Sequence, residues 1–179
     1  LLRRGNDFDK AAAVYEQIVS LAPNDAEAYW SLVLCRYGIE YVEDPANHKR
    51  VPTINRIQFA LLREALHIVD IGAATVEDVD TALKAGMGLR YAALGPFGVA
   101  DFGGLDTFDH INSYLNAELD DSKVGNKRLH EMVEEGKLGV KSGTGFYDYS
   151  GDKADEAIRN RDRMYIELAK VLYFNKDKE

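Results

Sequence analysis

The sequence predicts an all-α protein: an orthogonal helical bundle preceded by a short αα-hairpin and a small β-hairpin. Three observations carry this. Apolar residues recur at steps of three and four through most of the 179 residues, the signature of amphipathic helices. Glycine, or the turn Pro23-Asn24-Asp25, closes these runs at ordinary helical lengths. Strict alternation of apolar and polar residues, the mark of a half-buried strand, is confined to Gly38–Glu43.

Taken in order, Phe8, Ala11, Ala12, Tyr15, Ile18, Val19 and Ala22 predict a helix from Phe8 that stops at Pro23. A second runs from Ala26 to Tyr37, with Asn24 or Asp25 as its cap and Gly38 as its stop. Gly38–Glu43 and His48–Thr53, joined by the turn residues Asp44-Pro45-Ala46-Asn47, predict a two-stranded ribbon. Ile54–Gly72 is apolar on more than one face, through Ile57, Leu61, Ala65 and Ile68 and again through Phe59, Leu62, Leu66 and Val69. It is expected to be a central helix covered on several sides.

Thr75 followed three residues later by Asp78 predicts a capped helix that stops at Gly86. Gly95-Pro96 opens the next, because proline fits the first helical turn, where its missing N–H is not needed. Helices over Leu105–Leu119, over Asn126–Glu135 with a stop at Gly136, and over Asp152–Phe174 complete the bundle. The glycine-rich stretch Gly136–Tyr147 interrupts it.

Composition excludes several classes. Hydrophobic residues at 46% and charged residues at 29% fit a folded protein and not a disordered one. The net charge of −8 opposes a nucleic-acid surface. No apolar run approaches the roughly 18 residues of a membrane span, so no membrane partner is expected. The single cysteine, Cys35, permits neither an internal disulfide nor a cysteine zinc cluster, which makes a reducing cytoplasm the expected setting. Its neighbours Leu32, Val33 and Leu34 mark it as an inert core thiol. The chain opens Leu1-Leu2-Arg3-Arg4 without methionine and reads as a fragment.

No complete active site is spelled out by residue spacing. Gly86-Met87-Gly88 lacks the third glycine of a dinucleotide fingerprint and follows a helix instead of a strand; Gly136–Ser142 fails the phosphate-loop spacing. Both are expected to be turns, and no cofactor site is expected in this chain. His48, His67, His110 and His130 stand in separate contexts, so no metal site is expected. His48 reads as solvated, His67 as a packed helix residue, and the pairs Asp120-Asp121 and Glu134-Glu135 as solvated charge at helix ends.

Two resemblances add to this reading. Ala11, Tyr15, Ile18 and Pro23, followed by Ala26, Tyr29 and Leu32, resemble the second helix of one tetratricopeptide repeat and the first of the next. The usual glycine and final aromatic are replaced or displaced, at Val33 and Tyr37. Such repeats need about three stacked copies, so the expectation is a hairpin requiring another surface to cover its apolar face. The other reading, a helical interaction scaffold with a peptide groove, stays open.

The second resemblance is carried by Asn55-Arg56-Ile57, Leu62-Arg63-Glu64-Ala65, Asp78-Val79-Asp80, Gly88-Leu89-Arg90-Tyr91, Gly95-Pro96-Phe97, Asp101, Gly104-Leu105-Asp106, Gly136-Lys137-Leu138-Gly139 and Lys141-Ser142-Gly143-Thr144-Gly145-Phe146-Tyr147. From about residue 54 to 150 or beyond, the chain resembles the C-terminal helical domain of 3-hydroxyacyl-CoA dehydrogenases, in particular the 3-hydroxybutyryl-CoA type, a fold like the C-terminal domain of 6-phosphogluconate dehydrogenase. The resemblance implies two parts, a repeat-like hairpin and ribbon over 1–53 and the dehydrogenase domain over 54–179, joined near Thr53–Arg56.

It also implies NAD as cofactor of the complete enzyme, an acyl-CoA substrate bound only with a Rossmann domain, and a homo-oligomer built on the helical domain. Asn55 matches the family's active-site asparagine, which orients the catalytic histidine and the substrate carbonyl. An amide suits that role because it donates without titrating near neutral pH. The alternative for Asn55 is a plain helix cap. The approach Val51-Pro52-Thr53-Ile54 departs from the family's Pro-Gly-Phe entry, and the sequence holds neither G-x-G-x-x-G nor the catalytic His–Glu pair of the family. Hydride transfer by the chain alone is therefore not expected.

Overall fold

The computed structural model describes residues 7–37, 42–43, 50–51 and 53–174. Among them are α1 (Phe8–Leu21), α2 (Ala26–Tyr37), α3 (Thr53–Asp70), α4 (Val76–Ala82), α5 (Leu89–Gly103), α6 (Leu105–Leu115), α7 (Lys127–Glu134) and α8 (Lys153–Ala169). Two π-helical turns, Leu83–Gly88 and Lys170–Phe174, continue α4 and α8. Val42–Glu43 (β1) pairs antiparallel with Arg50–Val51 (β2), Val42 opposite Val51. The remainder of the expected ribbon, including His48, lies outside the described residues, as does the Gly38 stop. Among the described residues the secondary structure is helical apart from this short pair and isolated bridges at Gly139–Thr144 and Thr144–Asp148, and the chain divides into two compact units. One combines residues up to Ile57 with those from Gly139 onward; the other is Gln58–Leu138.

In the first unit α2 is the buried element. Asp25 caps it by accepting from the Ala28 N–H at 3.0 Å, and Ala28, Tyr29, Ser31, Leu32, Val33 and Cys35 are buried along its length. Leu32 is only 1% exposed, and burying a side chain of that size contributes about 1.5–3 kcal/mol. Ala11 of α1 is buried as well, and Arg36 of α2 pairs with Glu16 of α1 at 3.4 Å.

The far side of α2 is met by the C-terminal helix. Ala26, Tyr29 and Ile166 form a buried cluster, with Val19, Ala169 and Phe174 packed on it. Tyr29 meets Phe174 edge-on at 5.6 Å, and Arg36 stacks its guanidinium over the same Phe174 ring at 4.7 Å. Lys170 lies 5.6 Å from the Tyr29 ring centre. Helix α8 thus supplies the surface that the hairpin needs.

The second unit is punctuated by glycine. After α3 the N–H of Ala73 reaches the Ile68 carbonyl and that of Gly72 the Val69 carbonyl, with Gly72 at φ +73°. This is a Schellman stop, which needs a left-handed residue. Lys137 to Met132 and Gly136 to Val133 repeat it after α7. Thr75 and Asp78 exchange side-chain-to-backbone bonds at 3.1 Å, the reciprocal capping box that starts α4. Gly95, at φ +72°, breaks α5 immediately before Pro96. Asn126 caps α7 through the Leu129 N–H.

Three expectations need correction. Gly86 does not stop a helix: the chain widens into the π turn Leu83–Gly88 and runs on into α5. A side chain at Gly88 would lie 2.9 Å from the Leu83 carbonyl oxygen, so glycine here admits the widened turn instead of ending it. Nor is α3 covered on several sides. Leu66 is its buried residue, whereas Ile57 and Phe59 are each 61% exposed. The half-buried apolar residues Leu62, Ala65, Ile68 and Val69 lie with Leu66 in its C-terminal half, where packing on α3 is concentrated. Helix α6 also ends earlier than expected, at Leu115.

Candidate functional site

Asn55 sits in the first turn of α3, two residues after its start at Thr53, and is exposed, as is Arg56. A helix cap is the residue flanking the helix, with non-helical geometry. Asn55 lies inside the helix, so the capping alternative does not apply to it. Its carboxamide is a neutral donor and acceptor at the end of an 18-residue helix where unpaired backbone N–H groups give a partial positive charge. Beside it the Thr53 hydroxyl is buried without a hydrogen-bond partner among the described residues. This end of α3 can thus donate to a polarised oxygen but offers no group of its own that titrates near neutrality.

The other sequence candidates are dispersed. His110 lies edge-on to Tyr114 at 5.8 Å, His130 pairs with Glu134 at 3.3 Å, and His67 is half-buried on α3. Among the described residues no group of three His, Cys, Asp or Glu side chains is placed to hold a metal. Cys35 is buried and outside any disulfide.

The glycine-rich stretch is a closed turn. The Gly139 N–H donates to the Thr144 carbonyl at 2.8 Å, Gly145 to Tyr147 at 2.9 Å and Tyr149 to Gly143 at 2.9 Å. Asp148 accepts from Ser150 and Lys153; the Lys153 bond, then the Ser150 bonds, hold its carboxyl well below the usual range. With these N–H groups engaged internally, the turn presents no phosphate cradle. Gly86-Met87-Gly88 is equally unsuited, being the inside of a helical turn. Neither glycine-rich stretch thus forms a cradle for the phosphates of a dinucleotide.

Spacing did not reveal the polar fastening of 116–128 to α3. The Glu64 carboxylate accepts from the Asp120 N–H at 2.8 Å, and Arg63 donates to the Ser122 carbonyl at 3.3 Å. Asp70 accepts from Asn126 at 2.7 Å and Arg128 at 2.5 Å. These bonds give Arg63 and Glu64 a structural role. The signal is two adjacent charged residues flanked by the apolar stretches Phe59–Leu62 and Ala65-Leu66, but their partners lie more than fifty positions away.

From α3 onward the described residues are mainly helical, carry Asn55-Arg56 on an exposed first turn and fasten 116–128 to α3 by these bonds. The family pattern described as 3-hydroxyacyl-CoA dehydrogenase, C-terminal domain, matches residues 53–149. The chain belongs to that family.

It is 33% identical over 118 residues to the 5-formyl-3-hydroxy-2-methylpyridine 4-carboxylate 5-dehydrogenase of Mesorhizobium japonicum, covering 66% of this chain and 38% of the relative. It is 42% identical over 96 residues to a probable 3-hydroxybutyryl-CoA dehydrogenase of Bacillus subtilis, covering 53% and 32%. It is 36% identical over 110 residues to the human mitochondrial hydroxyacyl-coenzyme A dehydrogenase, covering 59% and 34%. The chain thus spans about a third of the length of these relatives. A crystal structure of 5-formyl-3-hydroxy-2-methylpyridine 4-carboxylic acid 5-dehydrogenase, described as an NAD+-dependent dismutase, superposes with a TM-score of 0.66 at 33% identity, over 68% of this chain and 40% of that one.

Proposed function

We propose that this chain is the substrate-closing and dimer-forming helical domain of an NAD-dependent 3-hydroxyacyl-CoA dehydrogenase of the cytoplasm, and that it is not catalytic without a Rossmann domain. The observation that carries the reading is the family match beginning at Thr53, with Asn55-Arg56 on the exposed first turn of α3. In the complete enzyme an L-3-hydroxyacyl-CoA is oxidised to the 3-ketone. NAD and the histidine base belong to the dinucleotide-binding part.

The contribution of this chain is Asn55, whose amide N–H donates to the oxygen on C3 and whose carbonyl holds the imidazole. Dimer formation is supported by Gln58–Leu138, where Leu66 and Val99 are buried but Leu89, Phe97 and Phe102 are 72%, 86% and 83% exposed. A face of this kind calls for a second protein surface, and a symmetric copy is the commonest solution.

The test is NADH oxidation with acetoacetyl-CoA by the chain alone and with a separately supplied family Rossmann domain. Activity is expected only in the mixture, and Asn55→Ala should lower kcat by about 10²-fold. Turnover by the chain alone at the rate of the mixture would overturn the proposal. So would a mixture that oxidises NADH with a pyridine aldehyde acid but not with acetoacetyl-CoA.

A further inference from the structure

A cavity of about 610 Å³ lies within the first unit, between the N-terminal part of α2 and the C-terminal part of α8. We infer that it is a docking groove for a basic amphipathic helix from another protein. Its apolar lining includes Trp30 and Val33 from α2, Tyr165 and Leu168 from α8, and Leu172 from the π turn that continues α8. Trp30, Tyr165 and Leu168 are 47%, 56% and 49% exposed, so the groove is open along its length. An apolar lining shared by two helical stretches, with no strand edge among the lining residues, suits a helix laid in the furrow with one face down. The stretch of α2 that lines it, Ala26 to Val33, rises about 11 Å, matching roughly two turns of an incoming helix.

Charge selects among occupants. The rim carries the carboxylates of Asp25, Glu27 and Asp162 against one cation, Arg161. Arg161 is engaged by Asp162 at 2.6 Å and Asp25 caps α2 through the Ala28 N–H, so the lining stays net acidic, with Glu27 as its acid on α2 itself. A helix with Lys or Arg flanking its apolar stripe complements that rim. A second copy of this chain, at a net charge of −8, does not. The inference stands apart from the dehydrogenase reading, because no residue of the groove is assigned a part in that reaction.

Trp30 is the only tryptophan, so its emission reports the groove directly. The probe is a synthetic peptide of about twelve residues with Leu and Phe at helical spacing between lysines, added to the full chain. A saturable blue shift is expected. A version with glutamates in place of the lysines, and the Leu168→Lys variant, should each bind at least about tenfold more weakly. Glu27→Lys should weaken the lysine peptide and strengthen the glutamate one, with circular dichroism verifying that both variants stay folded. Absence of a shift overturns the inference, as do equal affinities for the two peptides. A blue shift that grows with protein concentration alone would assign the groove to a second copy. A saturable shift with a small apolar dye, and none with either peptide, would overturn the inference and assign the cavity to a small molecule.

Discussion

Arg128 donates from Nε to the Asp70 carboxylate at 2.5 Å, tying the first turn of α7 to the last residue of α3. An acid at a helix C-terminus faces an unfavourable dipole. Here Asp70 instead lies beside the start of α7, where Asn126 serves both ends: its oxygen caps the Leu129 N–H at 3.1 Å and its nitrogen donates to Asp70 at 2.7 Å.

Asn126→Ala is therefore expected to cost about 1–2 kcal/mol, since it removes a cap and a charge-assisted bond together. Arg128→Ala, which breaks a part-exposed ion pair, should cost about 0.5 kcal/mol. Urea unfolding at neutral pH checks the order.

The same carboxylate sets an acid response. The Asn126 bond, then Arg128, hold Asp70 below its ordinary pKa. A lowered folded-state pKa gives stability that is present above the unfolded value of about 4 and lost as pH falls through the folded one. Asp70→Asn should therefore be less stable than the parent at pH 7 and nearly equal to it under strong acid. Denaturant midpoints compared at both ends measure this; an equal gap at both would contradict it.

Thr75→Ala removes the capping box and should cost about 1 kcal/mol, with Thr75→Ser restoring most of it. Because the box lies at the start of α4, amide exchange there should speed up before the rest of the unit responds.

Three glycines separate two kinds of strain. Gly72 and Gly136 have left-handed φ and open space where a methyl would go, so alanine there should cost about 1–2 kcal/mol of backbone conformation alone. At Gly145 a Cβ would meet the Gly139 Cα at 2.7 Å, so alanine must push two backbones apart. Thermal unfolding should rank Gly145→Ala as the most damaging.

Phe97→Asp and Phe102→Asp, both at exposed positions of α5, should convert a dimer to monomer in sedimentation velocity without loss of helix content. A parent that is strictly monomeric at high micromolar concentration would remove the basis for dimer formation.

What the sequence made legible was mostly local. The Thr75 box, the Gly72 and Gly136 stops and the Gly95-Pro96 break depend on a few adjacent residues, and all appear where spacing placed them. Gly86 was misread because glycine signals both a helix end and a widened turn, and only the approach of the Leu83 carbonyl to Gly88 decides between them. The exposure of Phe59 could not be read because periodicity marks a face to be covered without saying by what. Likewise, the packing of Tyr29 on Phe174 joins residues 145 positions apart, which no local pattern encodes. Asn55 is a candidate only through family resemblance, since one amide on a helix has no spacing signature.

The π turn at Leu83–Gly88 acts as a phase shifter. A hydrogen-bonded loop reaching i+5 holds one residue more than an α turn, and each residue advances a helix by about 100°. The apolar stripe of α4 is therefore rotated before it continues into Leu89 and Leu94, and deleting a single residue at Gly86 would turn both of them about 100° around the helix axis. Which way the first turns of α5 face is thus governed by a count of residues, and a length change there would do what no substitution can.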